Sequence, residues 1–405
     1  MTIPMASPNA VKTAREPAGR RGGRLPPAII FGGNDNALSL ARSLGRRGIA
    51  VYVLNKPGAD VAYSRFARPI SLNADRPFEA AALDFLLSSA SDPLAGSVLL
   101  AACDDALELM AENREELSQR FLLDISNPEA QLQMLDKLTT YQLAEKADVP
   151  TPKFWRISAR TDLPEIEEPL VYPLIVKPVL SHVFQQTFKS KFLIANDSLE
   201  LDSSLRQVEE AGIDVFLVEK IPGPDSALCS YYTYLDEDGR PLFDFTKRVI
   251  RRYPANMGLA TYHVTDYVPG VKEPSLRLFQ STGLRGLANA EFKYDARDGR
   301  LKLIECNARF TAANGLVARA GIDLGSLVYN RIVGLPLPPG DHFKKGLTLW
   351  DPLRDYKAFR ELRRGGELTF WQWIRSIARP HQFPSFAWTD PLPALARLMR
   401  RFHAR

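Results

Sequence analysis

Residues 291–309 read EFKYDARDGRLKLIECNAR. Two strands joined around Asp298-Gly299, a hairpin-turn pair, are the simplest reading of that stretch. A symmetric hairpin centred on Asp298 sets Glu291 directly opposite Glu305. Side chains alternate faces along a strand, so Asn307 and Arg309 point to the same side as the two glutamates. Opposed carboxylates repel one another, and the pairing asks for a cation between them. Two carboxylates and an amide are hard oxygen donors of the kind Mg²⁺ accepts, with substrate phosphates completing its shell. A solvated hairpin face would explain the glutamates alone; asparagine and arginine in the same register weaken that explanation.

Upstream lies a series of short strand-like runs: Leu174 to Val176, Phe192 to Ile194, Val215 to Val218, Ser230 to Leu235, Leu242 to Thr246 and Tyr262 to Tyr267. A helix over Leu199 to Ala211 interrupts them, and another over Leu132 to Ala144 carries Asp136-Lys137. Before residue 130 the texture differs. Ala28 to Phe31 is an apolar run closed by Gly32-Gly33, followed by helical spacing from Asn36 to Arg47 and a second strand at Ile49 to Leu54. This is the opening of an open α/β sheet. The stretch 104–117 adds a further helix. Gly32-Gly33-Asn34 lacks the three-glycine spacing of a dinucleotide loop, so it reads as a tight turn. The expected class is therefore α/β and α+β. An open α/β domain over 25–130 precedes a domain with antiparallel sheets over 131–335, and a helical extension occupies 336–405. A disordered basic tail occupies 1–24.

The 405 residues carry a net charge of +5. Residues 1–24 hold +4 and residues 336–405 hold +7, which leaves an acidic body of about −6. Nucleic-acid binders concentrate positive charge on the working domain, so nucleic acid is not an expected partner. Cys103, Cys229 and Cys306 are too widely spaced for a disulfide framework or a zinc site, which fits a reducing, cytoplasmic setting. No stretch of eighteen apolar residues suggests a membrane span.

Glu291 followed by Glu305-Cys306-Asn307-Ala308-Arg309 resembles the E…E-x-N-x-R signature of the ATP-grasp superfamily. Lys137, Lys177 in the run Pro173 to Pro178, and Val218-Glu219-Lys220-Ile221-Pro222-Gly223 resemble its two nucleotide lysines and its hinge strand, in the family's order over roughly residues 25–335. Within the superfamily the chain is most similar to the predicted carboxylate–amine ligases that include D-aspartate ligase, and more distantly to carbamoyl phosphate synthetase and biotin carboxylase. The resemblance implies ATP as nucleotide, with two Mg²⁺ ions, or Mn²⁺ in their place, held by Glu291, Glu305 and Asn307. It implies that Lys137 and Lys177 meet the α- and β-phosphates, that Glu219, Lys220 and Ile221 receive adenine and ribose, and that Arg309 stabilises the developing phosphate or the tetrahedral intermediate. The implied reaction activates a small-molecule carboxylate as an acyl phosphate and joins it to an amine.

The chain departs from the family at two points. Val249 stands where relatives usually have lysine, which leaves Arg248 or Arg251 of the basic run Lys247 to Arg252 to meet the γ-phosphate. The loop 179–191 has no glycine where many relatives carry a glycine-rich lid, leaving closure to Lys189 or Lys191, or to ordering by substrate. These departures keep a catalytically weak nucleotide-binding scaffold as the alternative. His182 and His263 are possible bases but are more simply packed or surface residues. Asp104-Asp105, at the end of a strand of the first domain, reads as a helix cap or as part of an acceptor pocket. The basic, aromatic extension suits docking on its own domain, on a second subunit in a homodimer, or on an anionic membrane surface.

Overall fold

The computed structural model describes residues 25–403 apart from 73–74, 158–159, 166–168, 180–183, 185–186, 189, 256, 339 and 341. The tail 1–24, His182 and Lys189 thus lie outside the described residues.

The first sheet is parallel and consists of β1 (Ala28–Phe31), β2 (Val51–Leu54), β3 (Ala67–Ile70) and β4 (Val98–Ala101), in the order β3-β2-β1-β4. β1 and β4 are buried along their whole length, as parallel strands covered on both faces must be. Gly33, at φ +81°, turns the chain into the helix Asp35–Arg46; a Cβ there would lie 2.5 Å from the Ala102 carbonyl oxygen. Only glycine fits so close a backbone approach.

A four-stranded antiparallel sheet follows: β5 (Phe154–Arg156), β6 (Leu174–Pro178), β7 (Leu193–Ala195) and β8 (Val215–Glu219), in the order β5-β8-β6-β7. The third sheet has six strands: β9 (Leu228–Leu235), β10 (Phe245–Tyr253), β11 (Leu259–Thr265), β12 (Gly286–Asp295), β13 (Arg300–Asn307) and β14 (Thr348–Trp350). Their order is β13-β12-β9-β10-β11-β14.

Hydrophobic packing divides the molecule unevenly. Ile29 and Phe31 on one face of β1 share a core with Tyr231, Phe292 and Leu303 of the six-stranded sheet. Ala28 and Ile30 on its other face share a second core with Tyr232, Tyr234 and Phe245. The first domain and the large sheet are therefore continuous. The four-stranded sheet has its own core, in which Trp155, Leu174, Val176, Leu205 and Leu217 pack with Phe184. That aromatic anchor belongs to the glycine-free loop.

Three local expectations change. The helices expected over 104–117 and 132–144 are each broken in two, at Asn113 and at Asp136. The Asp136 carboxylate accepts from the Thr139 amide at 2.8 Å and caps a new helix, which makes Lys137 its first residue. The extension is also not purely helical. β14 pairs with β11 at the edge of the large sheet before the helices Pro352–Arg364, Phe370–Ile377 and Leu392–His403 begin.

Candidate active site

The hairpin β12–β13 aligns Glu291 with Glu305, Ala290 with Cys306 and Asn289 with Asn307. Near the turn the register differs by one: Asp295 pairs with Arg300 and Phe292 with Leu303, and a bulge leaves Ile304 unpaired. A bulged residue withdraws from the ladder, and the Ile304 carbonyl is used elsewhere. It accepts from Lys177 Nζ at 2.9 Å and from the Tyr141 hydroxyl at 3.0 Å. The irregularity that brings the glutamates face to face thus also ties the four-stranded sheet to the hairpin.

Pairing continues across the large sheet. Glu305, Glu291, Ser230, Lys247 and Thr265 are successive partners on β13, β12, β9, β10 and β11. Lys247 Nζ donates to Ser230 Oγ at 3.0 Å, which sets a buried cation two strands from Glu291 and three from Glu305. The Asn289 amide nitrogen donates to the Tyr231 carbonyl at 3.0 Å, and the Asn307 amide nitrogen donates to Asn289 Oδ1 at 3.3 Å. This chain orients Asn307 with its own Oδ1 free to accept.

A cavity of about 760 Å³ opens above this face; its walls include Lys137, Lys177, Lys191, Lys247, Glu291, Glu305, Asn307 and Arg309. Lys137 Nζ stands 4.0 Å from Glu305 Oε1. Burial works to raise the Glu305 pKa, but Lys137, Lys191 and Lys177 outweigh it and hold the carboxyl below its ordinary range. Burial presses Lys177 down to about 7; its Nζ also donates to the Tyr141 hydroxyl at 3.1 Å. An anion entering here meets lysines that lack enough carboxylate to neutralise them. Among the described residues no cluster of three or more His, Cys, Asp or Glu could hold a metal. Two carboxylates and one amide oxygen fit a hard cation whose remaining positions are filled by phosphate oxygens.

Arg309 reaches the same cavity, gripped by Asp104: Nη2 lies 2.8 Å from Oδ2, and Nε bonds Oδ1. Burial alone would disfavour its charge, and Asp104 more than restores it. The sequence offered Asp104 as a cap or acceptor-site residue; the structure makes it the carboxylate that fixes Arg309.

The segment after β8 is held at alternate residues. The Glu219 carboxylate is bound by Arg297. Lys293 Nζ donates to the carbonyls of Ile221 and Gly223, both at 2.9 Å. Arg252 Nε donates to Asp225 at 2.7 Å. Glu219, Lys220 and Ile221 all line the cavity, but the Glu219 carboxylate is engaged, so backbone is what this segment offers a ligand. Lys293 and Arg252 were not singled out in the sequence for this work.

The two arginines expected to replace the missing lysine are elsewhere. Arg248 Nε pairs with Asp266 at 2.8 Å. Arg251 makes a two-pronged pair with Asp355, at 2.8 Å for each contact, and donates to Ser376 Oγ at 2.9 Å. Neither lines the cavity. β10 carries a bulge between Val249 and Arg251, which reverses the alternation, so Lys247, Val249 and Arg252 face the cavity. His263, the partner of Val249, also lines it; its Nδ1 is buried without a hydrogen bond. Burial, then Lys247, keeps its pKa well below the ordinary value. The cavity's walls also include Asp35 and Asp60 of the first domain and Asp351, Arg354 and Arg397 of the extension.

Known proteins share this fold. No family model matches the chain. D-aspartate ligase of Enterococcus faecium (strain Aus0004) is 28% identical over 249 residues, 57% of either chain. The match thus spans little more than half of that relative's length. Among solved structures, L-amino acid ligase from Bacillus licheniformis superposes with a TM-score of 0.58 at 20% identity, over 78% of this chain and 75% of its own. N5-carboxyaminoimidazole synthetase from Staphylococcus aureus, complexed with ADP, gives 0.61 at 17% identity, over 80% and 82%. Biotin carboxylase from Campylobacter jejuni gives 0.58 at 14% identity, over 79% and 74%. The chain has the ATP-grasp fold, and in sequence it is a homologue of D-aspartate ligase.

Proposed function

We propose that this protein is an ATP-dependent ligase that activates a small-molecule carboxylate as an acyl phosphate and joins it to an amine, releasing ADP and phosphate. The observation that carries the reading is the row of Glu305, Glu291 and Lys247 across one sheet face, with Lys177 of the four-stranded sheet, the second lobe, and Lys137 at the start of its helix lining the same cavity. Phosphoryl transfer needs charge neutralisation and positioning more than covalent help, and this is what the row supplies. Glu291, Glu305 and Asn307 would hold Mg²⁺, two ions by family resemblance or Mn²⁺ in their place, which supplies Lewis-acid neutralisation of the triphosphate. Lys137 and Lys177 meet the α- and β-phosphates, and the backbone of Glu219, Lys220 and Ile221 receives the base and ribose. Lys247 takes the part that Arg248 and Arg251, turned away, cannot take. Arg309, held rigid by Asp104, presents a fixed charge to the phosphate as it leaves the acyl carbon. The part of the cavity lined by the first domain and the extension receives the substrates. Three free cysteines and dependence on ATP suit the cytoplasm.

The test is ADP release across paired carboxylates and amines. Wild-type protein turns over ATP only when a matched pair is present. Glu305→Gln lowers that turnover by about 100-fold or more, the scale of losing one preorganised electrostatic contact, with thermal unfolding unchanged. Nucleotide binding without ADP release for any pair would favour the catalytically weak scaffold, and undiminished turnover in Glu305→Gln would reject the metal assignment.

A further inference from the structure

Five arginines line the cavity: Arg252, Arg309, Arg354, Arg397 and Arg400. Four of them are hydrogen-bonded to carboxylates of the protein itself. Arg252 binds Asp225, Arg309 binds Asp104, Arg397 binds Asp35 and Asp60, and Arg400 binds Asp60. Arg354 is the exception. Among the described residues its guanidinium makes no hydrogen bond, and its one ion-pair contact, Nε to Asp351, is 3.6 Å long. That carboxylate is committed to backbone: Asp351 Oδ1 accepts from the Arg354 amide at 3.2 Å and caps the helix Pro352–Arg364. Arg354 thus lies in the first turn of that helix, where the backbone dipole favours acids and opposes cations. A two-pronged donor with no partner, placed on a cavity wall against its local electrostatics, suits an anion brought by a ligand.

The strand register shows which ligand reaches it. Val249, His263 and Leu349 are successive partners on β10, β11 and β14, and all three line the cavity. Asp351 follows two residues after Leu349, with its amide bonded to the Thr261 carbonyl at 2.8 Å. The helix bearing Arg354 therefore starts at the β14 edge of the large sheet. Glu291 and Glu305 lie on the other side of Lys247, on β12 and β13. A triphosphate held by the glutamates runs from Lys247 toward those strands. Arg354 lies the opposite way, past a strand that is two spacings, roughly 10 Å, from the strand of Lys247. The carboxyl group that takes the phosphoryl sits beside the γ-phosphate at Lys247. The amine comes to it from the side that the triphosphate leaves open, which is the side of Arg354.

We propose that Arg354 is a specificity-determining residue, pairing with an anionic group, a carboxylate or a phosphate, that the amine substrate carries away from its reacting nitrogen. The inference rests on the ligase reading and adds to it the charge of the amine and the residue that selects it. A neutral amine leaves the guanidinium without its partner, which is how a site built for a polar group rejects the analogue that lacks it.

The test begins with hydroxylamine, which captures an acyl phosphate as a hydroxamate and has no second group for Arg354 to hold. Carboxylates that yield hydroxamate with ATP are then paired with amino acids, with aminoalkyl phosphates, and with the carboxamides of the same amino acids. Wild-type kcat/KM is expected to favour one of the two anionic classes over the carboxamides by about 30-fold, the scale of one charge-assisted two-pronged contact. The class favoured identifies the group. Arg354→Gln removes that preference through KM, with thermal unfolding unchanged and with kcat and hydroxamate formation altered less than about threefold. Arg354→Lys, which keeps the charge but not the fork, retains part of the preference. Carboxamides used as well as the acids by the wild type, or a preference that survives in Arg354→Gln, overturns the proposal and leaves the ligase reading standing. Hydroxamate from no carboxylate overturns both.

Discussion

Two strand pairs of the same sheet, β12–β13 and β10–β11, each carry a bulge, with opposite consequences. In β12–β13 the bulge at Ile304 brings Glu291 opposite Glu305. In β10–β11 the bulge beyond Val249 turns Arg251 away and brings Arg252 to the cavity. Alternation along a strand is a reliable guide to which residues share a face, but one inserted residue reverses it downstream. The lesson is that a site on a sheet is specified by where the ladder breaks as much as by which residues it carries.

The sharpest way to break this comparison is to exchange the fates of the basic residues on β10. Lys247→Ala removes a buried cation from the row that holds Glu291, and kcat/KM for ATP-dependent ligation is expected to fall about 100-fold. Arg251→Ala should do the reverse. It strips a fully buried Asp355 of its charged partner and leaves it neutral donors such as Thr261 and Trp373. Breaking a buried pair costs roughly 3–5 kcal/mol, so the melting temperature falls while kcat of the folded protein changes less than about threefold. A large kcat loss in Arg251→Ala with little loss of stability would return that arginine to the catalytic machinery.

That contrast also shows what the sequence made legible. The parallel sheet followed by antiparallel ones, the turn at Gly32-Gly33 and the opposed glutamates all follow from local pattern: apolar runs, glycine at a turn, period-two spacing. The alignment of Glu291 with Glu305 was inferred from a turn centred on Asp298, whereas the hairpin turns half a residue earlier and the bulge restores the register. What stayed hidden depends on contacts between distant segments. Asp104 and Arg309 are 205 residues apart and meet only when the first domain packs on the large sheet. Asp355 and Arg251 meet only because β14 leads the extension back over β11. No periodicity within either segment encodes such a pairing.

A smaller effect tests the segment after β8. Lys293 is nearly buried, lines the cavity and holds the carbonyls of Ile221 and Gly223; burial lowers its pKa to about 8. It acts on the nucleotide through that backbone. Lys293→Met keeps the apolar stem and deletes both donated bonds. KM for ATP is expected to rise about tenfold, within the 10–100-fold range for loss of outer-shell support, with kcat nearly unchanged. Lys293→Arg should recover part of the affinity. An equal fall in kcat would show that the lysine does more than hold the segment in place.

The smallest effect is a pH dependence, and it bears on why the second lobe carries Lys177 at all. Burial holds this lysine at about 7, so in the empty site much of it is neutral at neutral pH and nearly all of it at pH 9. A triphosphate beside Nζ favours the charged form and raises the pKa, so nucleotide binding takes up a proton. Affinity for ATP is therefore greatest below about pH 7 and falls as pH rises above it, with a limiting slope of one proton per nucleotide. Calorimetric titration in buffers of different ionisation enthalpy, between about pH 7.5 and 9 where ATP itself is fully ionised, measures that uptake directly. In Lys177→Met the uptake vanishes and the affinity becomes flat with pH; uptake that persisted in this variant would move the titrating group to another lysine of the cavity. The bond from Nζ to the Ile304 carbonyl gives the same group a second role, because a charged Lys177 grips the bulge of the large sheet more firmly than a neutral one. Nucleotide binding would then tighten the contact between the lobes, and the proton taken up would report that closure.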